Sequence, residues 1–267
     1  MNTLRPHYYD RFKCTADKCR HSCCKGWEID IDEDSMSLYE QYPDIKCHIK
    51  DSSFVLQGND ERCPFLNESG LCKLILKYGE DILCDICTDH PRFRNYIGDI
   101  EYLGLGMCCE AACDLILNDT VPFSLVPSGE VLFGIDKVDA YEGKVSDLVR
   151  QLYAENSTCA DRVSFYLTLE CLDPVWDEML KSLLDVEVST QARDAFIDSN
   201  SLAFRNLLKY FLYRHMGHAG FAAESVRLIA EVALSSGHDL ADICRIYSAE
   251  IEYSDENADL VKERMSV

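Results

Sequence analysis

The sequence predicts a mainly α protein built from an irregular, cysteine-rich N-terminal region with short strands and a C-terminal helical bundle. Three observations carry this reading. The chain has 267 residues, enough for one large or two modest domains. Twelve of its fifteen cysteines fall between Cys14 and Cys113, and only Cys159, Cys171 and Cys244 follow. Apolar residues recur at the 3.6-residue period of a buried helix face in the later part of the chain. The composition break divides the chain into a cysteine-rich domain, 1–117, a Pro- and Gly-containing linker, 118–143, and a helical domain, 144–267.

In the first part, Trp27-Glu-Ile-Asp-Ile-Asp alternates apolar and acidic side chains, the pattern of a short half-buried strand. Asp34 offers a cap to a helix running through Ser-Met-Ser-Leu-Tyr-Glu-Gln-Tyr, with Pro43 closing it. Leu71 to Tyr78 reads as a short helix stopped by Gly79, and Cys108 to Leu117 as another. Asn95 to Leu105 reads as a hairpin turning at Gly98-Asp99. In the second part, five apolar stripes predict five helices. They are Val163/Tyr166/Leu167/Cys171, ended by Pro174; Trp176/Met179/Leu180/Leu183/Leu184; Phe204/Leu207/Leu208/Phe211/Leu212; Val226/Ile229/Ala230/Ala233, ended by Gly237; and Leu240/Ile243/Cys244/Tyr247.

The net charge is −21, which repels phosphate backbones and argues against a nucleic-acid partner while attracting basic segments of other proteins. No run approaches eighteen apolar residues, so no membrane insertion is expected. The first residues lack an apolar signal core, which makes a cytoplasmic location the expectation, and there thiols stay reduced. An odd count of cysteines in a reducing compartment points to metal or redox chemistry rather than a disulfide framework.

The cysteines come in groups: Cys14-x4-Cys19-x3-Cys23-Cys24, then Cys63 and Cys72, then Cys84-x2-Cys87, then Cys108-Cys109 and Cys113. Thiolates two to four residues apart can curl round one metal, and a distant group normally completes its shell. Neighbouring side chains diverge on both strands and helices. Cys23 and Cys24 therefore serve two centres, or one ligates while the other packs or reacts, unless a turn bends between them. Spacing alone gives zinc and iron–sulfur equal standing. His21 and His90 could complete a centre, and Cys84-x2-Cys87-x2-His90 forms a three-ligand segment, whereas His90 could equally pack ahead of Pro91. Cys171 and Cys244 read as core residues on their stripes, and Cys47 as a buried thiol. The run from Glu28 to Asp34 is either a solvated strand edge and cap or an acceptor surface for an ammonium group. No P-loop, His-Glu-x-x-His or Gly-x-Ser-x-Gly motif is present, and Gly104-Leu-Gly106 lacks the third glycine of a dinucleotide loop.

The run Phe12-x-Cys14-x4-Cys19-x3-Cys23-Cys24-x-Gly26-Trp27-x-Ile29-x-Ile31-Asp32 resembles the opening of the flagellin lysine-N-methylase family, within the broader cysteine-cluster proteins thought to chelate zinc or iron. Further likenesses follow in order: Cys63-Pro-Phe-Leu, Gly70-Leu-Cys72, Leu83-Cys84-x2-Cys87 with Pro91-Arg-Phe, Cys108-x-Glu110-Ala-Ala, and the late Leu208-Lys-Tyr-Phe-Leu-Tyr-Arg-His. The resemblance places the family's cysteines on Cys14, Cys19, Cys23, Cys24, Cys63, Cys72, Cys84, Cys87 and Cys108. It implies a [4Fe–4S] cluster, with zinc as the alternative, and methyl transfer from S-adenosylmethionine to lysines of flagellin or a similar protein. The Cys-x3-Cys-x2-Cys loop of radical enzymes is absent, so no radical mechanism follows. Asp32 and Glu110 match the family pattern and are candidate bases for deprotonating lysine, with helix capping and packing-face polarity as their other readings. The competing functions are a non-catalytic zinc- or iron-chelating protein and an interaction protein whose zinc only holds the fold.

Overall fold

Residues 2–127, 133–154, 157–186 and 188–266 are described by the computed structural model. Residues 128–132, inside the 118–143 segment, lie outside them. The packing separates Lys13–Phe93 from a unit made of Met1–Phe12 and Arg94–Val267. Composition divides the chain elsewhere because it cannot see that the N-terminal strand returns to pair with a strand a hundred residues later.

That strand is β1, Asn2–Pro6. In Lys13–Phe93 lie two short strands, β2 (Ile49–Lys50) and β3 (Ser53–Phe54), which pair antiparallel. The expected hairpin is β4, Arg92–Ile97, and β5, Ile100–Leu105, turning at Gly98-Asp99. With β6, Leu125–Val126, these form a sheet of order β4-β5-β1-β6. β1 runs parallel to β5, with Thr3 opposite Glu101, and antiparallel to β6, with Pro6 opposite Leu125.

Lys13–Phe93 is mostly turns and short helices. Ile29 and Ile31 are buried while Glu28 and Asp30 are exposed, as the alternation predicts. The segment makes only an isolated bridge, Asp30 to Ser53, not a strand. The helix after it is Glu33–Tyr39, and its cap is Asp32 rather than Asp34: the Asp32 side chain accepts the Ser35 amide. Pro43 opens the next helix, Pro43–Lys46, at the first-turn position where a missing N–H costs nothing. Lys73–Tyr78 ends at Gly79, whose φ of 89° suits glycine. Ile29, Ile31, Tyr39, Ile45, Phe54, Phe65, Leu74 and Ile82 make the core, together with Cys63 and Cys84.

The other unit is helical. Ala219–Ser236 is its central helix, buried along most of its length and ended by Gly237 at φ 70°. Ser201–Arg214, Pro174–Asp185 and Leu240–Tyr247 pack on it. The predicted stripes are the buried ones: Phe204, Leu207, Leu208, Phe211 and Leu212 are at most 1% exposed. Leu184 is an exception, exposed on the solvent side of its helix. Pro174 does not end a helix. Cys159–Tyr166, capped by Thr158 and Asp161 in a reciprocal box, has already ended, and Pro174 starts the next. Cys171 thus falls in the connection and is exposed rather than core, whereas Cys244 is buried as expected. The helices Ile135–Ala140, Val145–Leu152, Thr190–Ser199 and Asp255–Arg264 were not read from the sequence. Among the described residues no helix is long and apolar enough to cross a membrane.

Candidate functional site

Six thiols of Lys13–Phe93, Cys23, Cys24, Cys63, Cys72, Cys84 and Cys87, are linked to one another by hydrogen bonds or charge. Cys84 and Cys87 hydrogen-bond each other across the first turn of Asp85–Asp89, the short helix that the Cys-x2-Cys spacing builds. Cys87 and the Tyr39 hydroxyl favour the Cys84 thiolate and hold it below the ordinary thiol range, while the same bond and burial drive Cys87 well above it. Cys63 is pushed up to about 12 by burial and by the nearby charges of Cys24 and Cys72. Burial raises Cys72 too, with Cys24 and Cys84 adding to it, and Cys87 feels both Cys24 and Cys63.

Cys24 stands apart: its bond to Cys23 lowers it to about 7. A turn does bend at Cys23-Cys24, so the adjacent pair meets at one place. The Cys63 amide donates to the Cys24 carbonyl at 2.8 Å, which ties the first cysteine group to the second.

No disulfide joins any of the fifteen cysteines. Among the described residues, no three His, Cys, Asp or Glu side chains are drawn together as a formed metal shell. What Lys13–Phe93 contains is therefore a thiol grouping, joined pairwise by hydrogen bonds, and not a closed coordination sphere. Its chemistry still fits a soft metal. An all-sulfur donor set that repels itself when ionised in a buried place is relieved by a cation, and zinc and iron–sulfur centres both take such sets.

The remaining candidates lie elsewhere. Cys14 is exposed, its sulfur accepting the Ala16 amide at 3.4 Å, and Cys19 is half-buried. Cys47 is exposed rather than buried, because it ends a four-residue helix at the surface, and its thiol faces the Asp44 carbonyl. His90 packs on Trp27, ring centroids 5.6 Å apart, and burial lowers it to about 4, so it stays neutral. Asp32 has both carboxylate oxygens occupied, by the Ser35 amide at 2.8 Å and the Asp85 amide at 2.9 Å. Burial pushes its pKa up, but these amides outweigh burial and hold it below the usual carboxylate range. That is the behaviour of a cap. Glu110 is the first residue of Glu110–Leu117, half-buried at the helix's positive end.

Cys108 belongs to the helical unit. Burial raises it to about 12 against a hydrogen bond from Tyr253. Around it lies a buried polar cluster. Glu252 sits on a π-helical turn, Ser248–Glu252, and accepts from Tyr210 at 2.7 Å and pairs with His215 at 2.8 Å. Arg214 donates to the Glu252 carbonyl at 2.8 Å and stacks over Tyr253 at 4.7 Å. Gly106 lets this cluster close: a Cβ there would lie 2.2 Å from the Tyr253 hydroxyl.

No family model matches the chain, and no solved structure matches it. Curated proteins do. A lysine-N-methylase of Salmonella typhimurium is 28% identical over 133 residues, covering 45% of this chain and 33% of that protein. The lysine-N-methylase of Salmonella choleraesuis is 27% identical over the same length. The chain is similar to these two lysine-N-methylases over that stretch. A flagellar biosynthetic protein FliU of Salmonella muenchen is 27% identical over 133 residues, 79% of its length. The chain thus matches about a third of the length of the lysine-N-methylases, and most of the FliU protein.

The likeness to the lysine-N-methylase family touched one region whose chemistry the sequence did not disclose. Leu208-Lys-Tyr-Phe-Leu-Tyr-Arg-His was read only as a helix, yet its Tyr210, Arg214 and His215 build the buried cluster with Glu252. The available signal was polar residues on every face of an apolar stripe, which helix burial does not require. Glu250 and Glu252 carried no such signal.

Proposed function

We propose that this chain is a protein lysine N-methyltransferase that takes its methyl group from S-adenosylmethionine and acts on flagellin or a similar lysine-bearing protein. The observation that carries the reading is the match to two proteins named lysine-N-methylase over 45% of the chain. Cys24, Cys63, Cys72, Cys84 and Cys87 would hold the metal, as a [4Fe–4S] cluster or as zinc. When bound, such a centre supplies a cation that offsets the charge of the clustered thiolates, stabilises the fold around it and can orient a donor molecule.

The chain's own residues set the rest of the chemistry. A lysine side chain has a reference pKa near 10.4, so its ammonium must lose a proton before the nitrogen can attack a methyl sulfonium. The net charge of −21 draws the ammonium in, but charge alone also keeps it protonated. Burial of the lysine against apolar wall is what opposes that. Of the two carboxylates singled out, Asp32 is committed to backbone amides. Glu110 is the other candidate proton acceptor that the family pattern offers, at the start of Glu110–Leu117.

The test is mass spectrometry of flagellin from the same organism after incubation with anaerobically purified protein and S-adenosylmethionine. Added methyl groups on lysine support the reading, and they should disappear with Cys87→Ser. Metal-replete protein that transfers no methyl group, together with unchanged flagellin in a deletion strain, leaves the non-catalytic metal-chelating function instead.

A further inference from the structure

The helical unit holds a thiol pair of its own. Cys113 lies on Glu110–Leu117 and Cys244 on Leu240–Tyr247, two helices that pack on each other. The two residues are 1% and 0% exposed, and their thiols share a hydrogen bond. Cys113 is also held to the same partner helix by its backbone: the Cys113 thiol donates to the Ala241 carbonyl at 3.5 Å, in the first turn of Leu240–Tyr247. The hydrogen-bonded thiols of Lys13–Phe93, Cys23 with Cys24 and Cys84 with Cys87, are close neighbours in the chain. Cys113 and Cys244 instead meet across two helices that are far apart in sequence.

Neither cysteine is among the nine of the family pattern or the five that would hold the metal. A buried cysteine packs as a small apolar side chain, which accounts for either one alone. It does not require the two sulfurs to face each other. Two cysteines can be bridged only where their side chains meet at short range, and thiols that share a hydrogen bond meet that condition. The bond to Cys244, burial and the charge of Asp114 hold Cys113 well above the ordinary thiol range, while the Arg245 guanidinium acts in the opposite direction. A protonated thiol is a poor nucleophile, so the pair stays reduced at rest and reacts slowly.

We propose that Cys113 and Cys244 are a redox-closable pair, oxidised by hydrogen peroxide to a disulfide that ties Glu110–Leu117 to Leu240–Tyr247. The peroxide is the oxidant, and two waters are its products. One sulfur, after losing its proton, attacks a peroxide oxygen; the O–O bond breaks, and the departing hydroxide takes up that proton as water. The partner sulfur then attacks the resulting sulfenic acid. The S–S bond forms, the S–O bond breaks, and hydroxide leaves with the partner's proton as the second water. Two electrons pass from the sulfurs to the peroxide. Because the partner is already in contact, closure outruns further oxidation to sulfinic acid. The link would fix the helix that begins at Glu110 to the one that runs into Ser248–Glu252, where Glu250 and Glu252 sit.

The experiment exposes metal-loaded full-length protein to hydrogen peroxide and continues well after the exposed Cys171 is fully oxidised. Circular dichroism checks that each sample is still folded. Remaining thiols are then blocked with iodoacetamide in denaturant, and the peptides are mapped by mass spectrometry without reductant. The expected result is a linked peptide joining Cys113 to Cys244, lighter than its two parts by two hydrogen atoms and lost on treatment with dithiothreitol. Folded Cys244→Ala should leave Cys113 unlinked; if that variant does not fold, the wild-type map decides alone. Folded wild-type protein in which Cys171 is fully oxidised while Cys113 and Cys244 are both recovered as blocked thiols overturns the proposal. A link that forms only in denaturant, or that joins either residue to a different cysteine, overturns it as well.

Discussion

The two units of this protein are held in different ways. In Lys13–Phe93 the longest helix is the seven-residue Glu33–Tyr39, and isolated helices below about 12–15 residues are marginal in water. Its core includes thiols, and its loops are fixed by single bridges and side-chain caps. The helical unit instead buries whole faces of Ser201–Arg214, 14 residues, and Ala219–Ser236, 18 residues. It also buries charge: Arg162 bonds Glu224 at 2.7 Å and Glu231 at 2.9 Å, and Arg193 bonds Glu231 at 2.8 Å. One unit uses packing and internal ion pairs. The other has sulfur where more core would be, which is where a metal contributes most.

This contrast is sharpest when the metal is removed. Chelation should cost Lys13–Phe93 its order, since structural metals contribute on the order of 10 kcal/mol to small cysteine-rich folds. Hydrogen exchange should then show lost protection across residues 13–93 and retained protection in Ala219–Ser236. Equal loss in both units breaks the comparison.

The reverse perturbation comes next. Phe211, fully buried, should cost about 3–5 kcal/mol as Phe211→Ala, read by denaturant unfolding, while metal content stays the same. A third test uses pH. Burial raises Glu250 to about 7, against amide bonds from Leu172 and Asp173. A carboxyl whose folded value lies above its unfolded one binds its proton more tightly when folded. Stability in the helical unit should therefore fall as pH rises from about 4.5 to 7, by roughly 3 kcal/mol from this group. Glu250→Gln should flatten that slope, and a slope that persists assigns it to another group. The smallest effects separate two cysteines. Cys244→Ala should cost about 1 kcal/mol and the exposed Cys171→Ala almost nothing, both without metal loss.

The same contrast explains what could be read in the sequence. Helix stripes such as Phe204 to Leu212 follow a fixed period, so their buried faces were legible one by one. Pro43 and Pro174 misled because a proline that stops one helix is equally suited to start another, and only the chain around it decides. In the cysteine-rich unit, spacing showed which thiols are close in the chain, such as Cys84 and Cys87. It did not place them: nothing in the order of residues separates Cys47, exposed, from Cys63, buried. The return of β1 to β5 was equally hidden, since a parallel pairing between Thr3 and Glu101 leaves no local signature.

The most direct test of the account is metal analysis of anaerobically purified protein across a set of cysteine variants, combined with sulfur coordination measured by X-ray absorption. The account expects stoichiometric metal in a sulfur shell, at about 2.3 Å for zinc, lost in Cys63→Ser, Cys84→Ser and Cys87→Ser and kept in Cys47→Ser and Cys171→Ser. Wild-type protein without metal, or metal retained in folded Cys63→Ser, Cys84→Ser and Cys87→Ser alike, would contradict it.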